Sequence, residues 1–123
     1  NEELNDLQRR YFEKSRFGPQ IIQHTGDALQ IIPTLEMHFD LIFIDAEKRE
    51  YPMYFNTVMK KVKPGSIILS DNVLWSGKVI EPLEEKDKAT MALLEYNRTL
   101  KEDARLETVL LPIRDGLTLS RVL

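Results

Sequence analysis

Asp45, Lys48, Asp71 and Asn72 are the residues of this chain best placed for chemistry, because each follows directly on an apolar run. Leu41 to Ile44 runs without a polar break and stops at Asp45-Ala46-Glu47-Lys48, and Ser66 to Ser70 stops in the same way at Asp71-Asn72. Short β-branched and aromatic runs of this kind suit strands covered on both faces, as in a parallel sheet. Ligands of such sheets bind beyond the carboxyl ends of the strands. If the two strands are neighbours, Asp45, Asp71 and Asn72 offer two carboxylates and an amide oxygen to one point. Those donors suit a hard divalent cation and leave positions for water or a chelating substrate. The competing reading is that acids and amides end strands as ordinary turn residues. Lys48 could take a proton from a hydroxyl held by the cation, although a lysine ahead of a helix is ordinarily a surface residue.

Two further stretches bear on binding. Gly26-Asp27-Ala28 follows a short apolar run, and an acid there can accept a hydrogen bond from an exocyclic amine such as that of adenine. Ala28 would let a flat ring approach closely, yet Gly-Asp is also plain helix-cap chemistry. Trp75, in the polar loop after Asn72, either walls a ligand pocket or packs on a later helix. His24 and His38 stand without partners at metal-ligand spacing, and the chain has neither a phosphate-cradling glycine loop nor a serine elbow.

Positioning these residues requires an alternation of helices and strands. Residues 1–16 predict an amphipathic helix with Leu4, Leu7 and Tyr11 on one stripe and basic residues at its end. Gly18-Pro19 breaks it, residues 20–24 read as a short strand, and a short helix follows to about Leu35. After the strand at 41–44, Pro52 marks a helix start, Tyr54, Phe55, Val58, Met59 and Val62 form its inner stripe, and Lys63-Pro64-Gly65 ends it. A strand at 66–70, a charged connector at 81–88 and a helix at 89–104 with Met91, Leu94 and Leu100 inward come next. Asp115-Gly116 between the apolar runs 107–113 and 117–123 predicts a closing antiparallel hairpin. The order implies one α/β domain whose sheet is joined by right-handed crossovers.

Bulk composition narrows the classes. The chain has 123 residues, 42% hydrophobic and 30% charged, enough for a single core and unlike a disordered segment. A net charge of −3 argues against a dedicated nucleic-acid binder. The absence of cysteine rules out thiolate metal sites and fits a cytoplasmic setting, and no apolar stretch approaches a membrane span.

Taken together, four ordered motifs closely resemble one family. They are Gly26-Asp27-Ala28, Asp45-Ala46-Glu47-Lys48 with Tyr51 and Tyr54, Asp71 to Gly77, and Asp115-Gly116-Leu117-Thr118 with Arg121. The family is the cation-dependent O-methyltransferases that use S-adenosylmethionine, the group of caffeoyl-CoA and catechol O-methyltransferases and their bacterial relatives. The resemblance implies that Asp45, Asp71 and Asn72 ligate magnesium or another divalent cation such as manganese or calcium, and that Lys48 is the general base beside Asp45. It implies that Asp27 and Ala28 line the adenine pocket, that Asp45, Glu47 and Tyr54 sit near the methyl donor, and that Trp75 and Ser76 face the acceptor. Ser76 stands where plant members place an asparagine that contacts substrate, which points away from a phenylpropanoid-CoA acceptor. Glu47 replaces the family's commoner aspartate. The implied fold is a Rossmann-like class I methyltransferase sheet without its first two strands, residues 1–123 being the C-terminal part of one domain. The implied partners are a small hydroxylated acceptor and a second copy in a homodimer, with no membrane. Methylation of a hydroxylated transfer-RNA nucleoside and a non-catalytic dimerisation module are the alternatives. A chain without the missing strands is expected to be inactive alone, to bind the cofactor poorly, and to leave the edge of the strand at 41–44 bare.

Overall fold

The computed structural model describes residues 4–123, and the first three residues of the predicted opening helix lie outside them. Four strands form a mixed sheet: β1 (Phe39–Ile44), β2 (Val62–Asp71), β3 (Leu106–Leu111) and β4 (Leu117–Val122), in the spatial order β1-β2-β4-β3. β1 runs parallel to β2, β4 runs antiparallel to β2, and β3 closes an antiparallel hairpin with β4. The alternating α/β plan and the terminal hairpin agree with the sequence.

Helix α1 (Asn5–Lys14) and the short α2 (Ala28–Ile31) precede the sheet, α3 (Tyr51–Val58) connects β1 to β2, and α4 (Lys88–Glu102) leads into the hairpin. Pro52 sits in the first turn of α3, where its missing N–H leaves no hydrogen bond unmade. Asp87 caps α4 through the Thr90 amide. Helices α3 and α4 cover one sheet face, burying Ile44, Tyr51, Phe55, Val58, Ile68, Leu93, Tyr96, Leu100, Leu106 and Val122. On the other face Leu41 and Phe43 are exposed.

Several boundaries differ from expectation. Residues 20–24 form no strand, because nothing among the described residues lies alongside to complete a ladder; Gly18–Gln20 is a 3-10 turn, and Ile21 and Ile22 are exposed. The predicted stripe on α1 exists but buries nothing, Leu4, Leu7 and Tyr11 all being exposed. The helix expected to reach Leu35 gives way to a 3-10 turn, Ile32–Thr34, around Pro33. Helix α3 ends earlier than expected and β2 begins earlier. The Pro64-Gly65 break survives as an irregularity within β2: the pairing steps from Phe39↔Val62 to Leu41↔Ile67, and the Ser66 hydroxyl donates to the Phe39 carbonyl at 2.6 Å. Proline within a strand is tolerated at such irregularities. In α4 the inward residues are Thr90, Leu93, Tyr96 and Leu100, whereas Met91 is exposed and Leu94 only half-buried. The connector over residues 81–86 is exposed throughout.

Candidate active site at the strand tips

The register Ile44↔Ser70 is the last pairing of β1 with β2, so Asp45 and Asp71 emerge side by side from the ends of parallel neighbours. Sequence-adjacent Asn72 turns sharply there, with φ of 58°, and its amide donates to Asp71 Oδ1 at 2.7 Å. Lys48 lies in a 3-10 turn leading into α3 and is buried, with 5% exposure. That burial excludes the surface-lysine reading. Its Nζ donates to the Tyr51 hydroxyl at 2.6 Å and stands 3.4 Å from both Asp45 Oδ1 and the Asp71 carbonyl. A buried ammonium needs such acceptors to offset lost hydration. Tyr51 in turn donates to the Asp71 carbonyl at 2.7 Å, with the Ile44 carbonyl 3.3 Å away. Burial pushes the Tyr51 phenol well above the ordinary tyrosine range, reinforced by the Asp45 charge, so the hydroxyl stays a donor.

Beside this cluster a hollow of about 430 Å³ is lined by Ala28, Ile32, Ile42, Asp45, Glu47 and Tyr54 among others. Four of the residues assigned to cofactor contact thus share one cavity. Asp27 caps α2 at its rim, accepting from the Leu29 amide at 2.9 Å. Burial raises the Tyr54 phenol above its ordinary value, with the Glu50 and Asp27 carboxylates adding to the effect. Glu47 points into solvent and pairs with Arg49 at 3.1 Å; that hydrogen bond holds its carboxyl below the usual range. A larger hollow, about 530 Å³, lies between α1 and residues 18–25 and contains none of the candidate residues.

The loop after Asn72 is held from a distance. Val73 and Leu74 amides donate to the Gly116 and Asp115 carbonyls at 3.2 and 2.9 Å, and the Ser76 amide donates to Asp115 Oδ1 at 2.5 Å. Gly116 has φ of 80°, and a Cβ there would meet Leu74, so the turn requires glycine. Trp75 packs against the core with its indole N–H buried and without a partner among the described residues, and Ser76 is exposed. Trp75 and Ser76 both take positive φ, 50° and 54°, and strain of this kind is concentrated at functional loops. Asn97 of α4 steadies the same loop by donating to the Val73 carbonyl at 2.9 Å.

A cation fits the donor set by its chemistry. Among the described residues no three acidic or histidine side chains cluster, so the acids alone make no cage. Asp45, Asp71 and the amide oxygen of Asn72 would hold a hard ion only together with water or substrate oxygens, the open arrangement that magnesium ordinarily keeps. His24 and His38 are exposed, and His38 precedes the start of β1, at the opposite end of that strand from Asp45. The supporting roles of Tyr51, Asn97 and Asp115 were not assigned from sequence. The spacing Lys48 to Tyr51, one helical turn, and the place of Tyr51 in the second motif were signals for the first.

A family model described as O-methyltransferase matches residues 1–123. Caffeoyl-CoA O-methyltransferase 1 of Eucalyptus globulus is 34% identical, over 98% of this chain and 53% of its own length. The SAH-bound methyltransferase PaMTH1 of Podospora anserina superposes with a TM-score of 0.84 at 32% identity, covering 100% of this chain and 58% of that one. An O-methyltransferase of Bacillus cereus in complex with SAH gives 0.87 at 27% identity, covering 100% and 60%. The chain spans about half the length of the curated relatives it matches.

Proposed function

The chain belongs to the O-methyltransferase family, and on that footing we propose that the protein carrying it methylates a hydroxyl of a small molecule with adjacent oxygens, using S-adenosylmethionine and a divalent cation. The observation that carries this reading is the convergence on Lys48 Nζ of Asp45 Oδ1 and the Asp71 carbonyl, each at 3.4 Å. Asp45, Asp71 and Asn72 would hold the cation, and Ala28, Asp45, Glu47 and Tyr54, with Asp27 at the rim, would hold the cofactor. When bound, the cation supplies charge that eases loss of the acceptor's hydroxyl proton, and the cofactor supplies the methyl group. Lys48, as its neutral amine, would receive that proton, and the strand tips would orient the acceptor hydroxyl towards the cofactor. In that transfer a new O–C bond would form as the cofactor's S–C bond breaks, leaving S-adenosylhomocysteine. Trp75 and Ser76 flank the acceptor. A catechol-like compound satisfies the need for two neighbouring oxygens.

The test is Asp71→Ala in the whole protein, assayed with a catechol before and after chelation. Transfer is expected to fall at least about 100-fold in the variant, as for loss of a principal electrostatic stabiliser, and to stop in the chelated wild type until magnesium or manganese is restored. Full activity in Asp71→Ala would remove the metal-dependent reading.

A further inference from the structure

The sheet pairing between β1 and β2 ends at Ile44↔Ser70. Beyond that pair no ladder bond sets the spacing of residues 45 and 71. One oxygen bridges the gap. The Tyr51 hydroxyl reaches the Asp71 carbonyl at 2.7 Å and lies 3.3 Å from the Ile44 carbonyl, the peptide immediately before Asp45. It also receives the shortest of the Lys48 hydrogen bonds, 2.6 Å against 3.4 Å for the others. The Tyr51 side chain is fully buried, and its ring stands edge-on to Tyr96, 5.1 Å between centroids at 84°. Tyr96 is itself tied to Ser70 by a hydroxyl–hydroxyl contact. Packing thus fixes the ring, and the ring fixes where the oxygen lies.

We propose that Tyr51 is a positioning residue: its hydroxyl, donating its one proton to the Asp71 carbonyl and accepting from Lys48, ties the β2 end to the Lys48 turn and aims the Lys48 amine between Asp45 and Asp71. Resting on the metal-dependent reading above, it names the group that makes that site rigid. Groups bonded to the backbone of ligand-bearing segments act as outer-shell partners, whose loss ordinarily costs 10–100-fold in metal affinity or activity. A rotamer of Lys48 alone could not supply the same order, because a four-carbon stem has many conformers and needs a fixed acceptor to select one.

Tyr51→Phe in the whole protein keeps the ring and deletes the oxygen. Its affinity for Mn2+, read from the EPR signal of the free ion, is expected to fall roughly 10- to 100-fold. The kcat should fall over the same range while KM for S-adenosylmethionine stays within about two-fold, since the cofactor hollow is untouched. Tyr96→Phe, which loses a buried hydroxyl from the same aromatic pair, should bind Mn2+ as the wild type does. Wild-type Mn2+ affinity and kcat in Tyr51→Phe would overturn the proposal. So would equal losses in both variants, which would mark general packing, or failure of Tyr51→Phe to fold, which would make the oxygen a requirement of the sheet. A wild-type protein that takes up no Mn2+ would instead overturn the metal-dependent reading itself, and the proposal with it.

Discussion

On the proposed reading the chemistry turns on Lys48. A charge at 5% exposure costs several kcal/mol unless hydrogen-bonded, and here three oxygens face it. Lys48→Met keeps the stem and removes the amine. Because the Asp45 side chain is 55% exposed, it can rehydrate once its partner is gone, so the stability cost should be small. The expected outcome is a kcat lower by about 10²- to 10⁴-fold, the range for loss of a general base, with calorimetric affinity for S-adenosylmethionine unchanged. Parallel loss of cofactor affinity would make Lys48 a structural residue instead. Glu47 has a different standing. Its pairing with Arg49 is exposed on both sides, and such pairs contribute little to stability, so Glu47, which lines the hollow, matters little for folding.

At the scale of elements, α4 presses Tyr96 onto β2, and burial pushes that phenol up to about 12, the Ser70 hydrogen bond opposing the shift. A phenol whose folded value lies above its unfolded one, near 10, adds stability that is complete below pH 10 and is lost as pH rises towards 12. Two units correspond to on the order of 2–3 kcal/mol. The melting temperature should therefore drop across this alkaline window, and Tyr96→Phe should flatten the drop; identical curves for variant and wild type would rule out the assignment. The same elements show what a sequence can and cannot reveal. Leu41 to Ile44 and the Asp115-Gly116 turn were legible because an unbroken apolar run and a hairpin each have a local signature, although the expected cover on both faces of that strand is missing on the Leu41 and Phe43 side. Residues 20–24 share the apolar character of a strand, but strandhood depends on a neighbour that local pattern does not encode. In α4 two apolar stripes coexist, and tertiary packing chose Leu93 and Tyr96 over Met91 and Leu94. For the site, the acids at strand ends could be read in advance. The Tyr51 bridge could not, since it ties the turn at Lys48 and Tyr51 to the Asp71 carbonyl, 20 residues further along the chain.

For the molecule as a whole, the uncovered sheet face is the dominant feature. Phe43, Leu69, Leu119 and Val109 stand in register across all four strands, with Phe43 at 55% and Val109 at 51% exposure. An apolar row beside the unpaired outer edge of β1 favours association. These 123 residues, expressed alone, are expected to elute above their 14.4 kDa mass in a concentration-dependent manner, and Phe43→Lys to shift them towards the monomer. A monodisperse monomer of the unaltered chain in light scattering would count against this.

The contact between the hairpin turn and the loop after Asn72 has a temporal side. Asp115 is made 39 residues after the Ser76 amide that it receives. On the ribosome the strand-tip carboxylates are made long before that clasp can close, so the segment bearing Trp75 and Ser76 acquires its shape only once Asp115 has been added. The shape of the loop bearing Trp75 and Ser76 is in this sense completed by a turn 39 residues further on, so a change at Asp115 or Gly116 would reshape that loop without touching the strand tips.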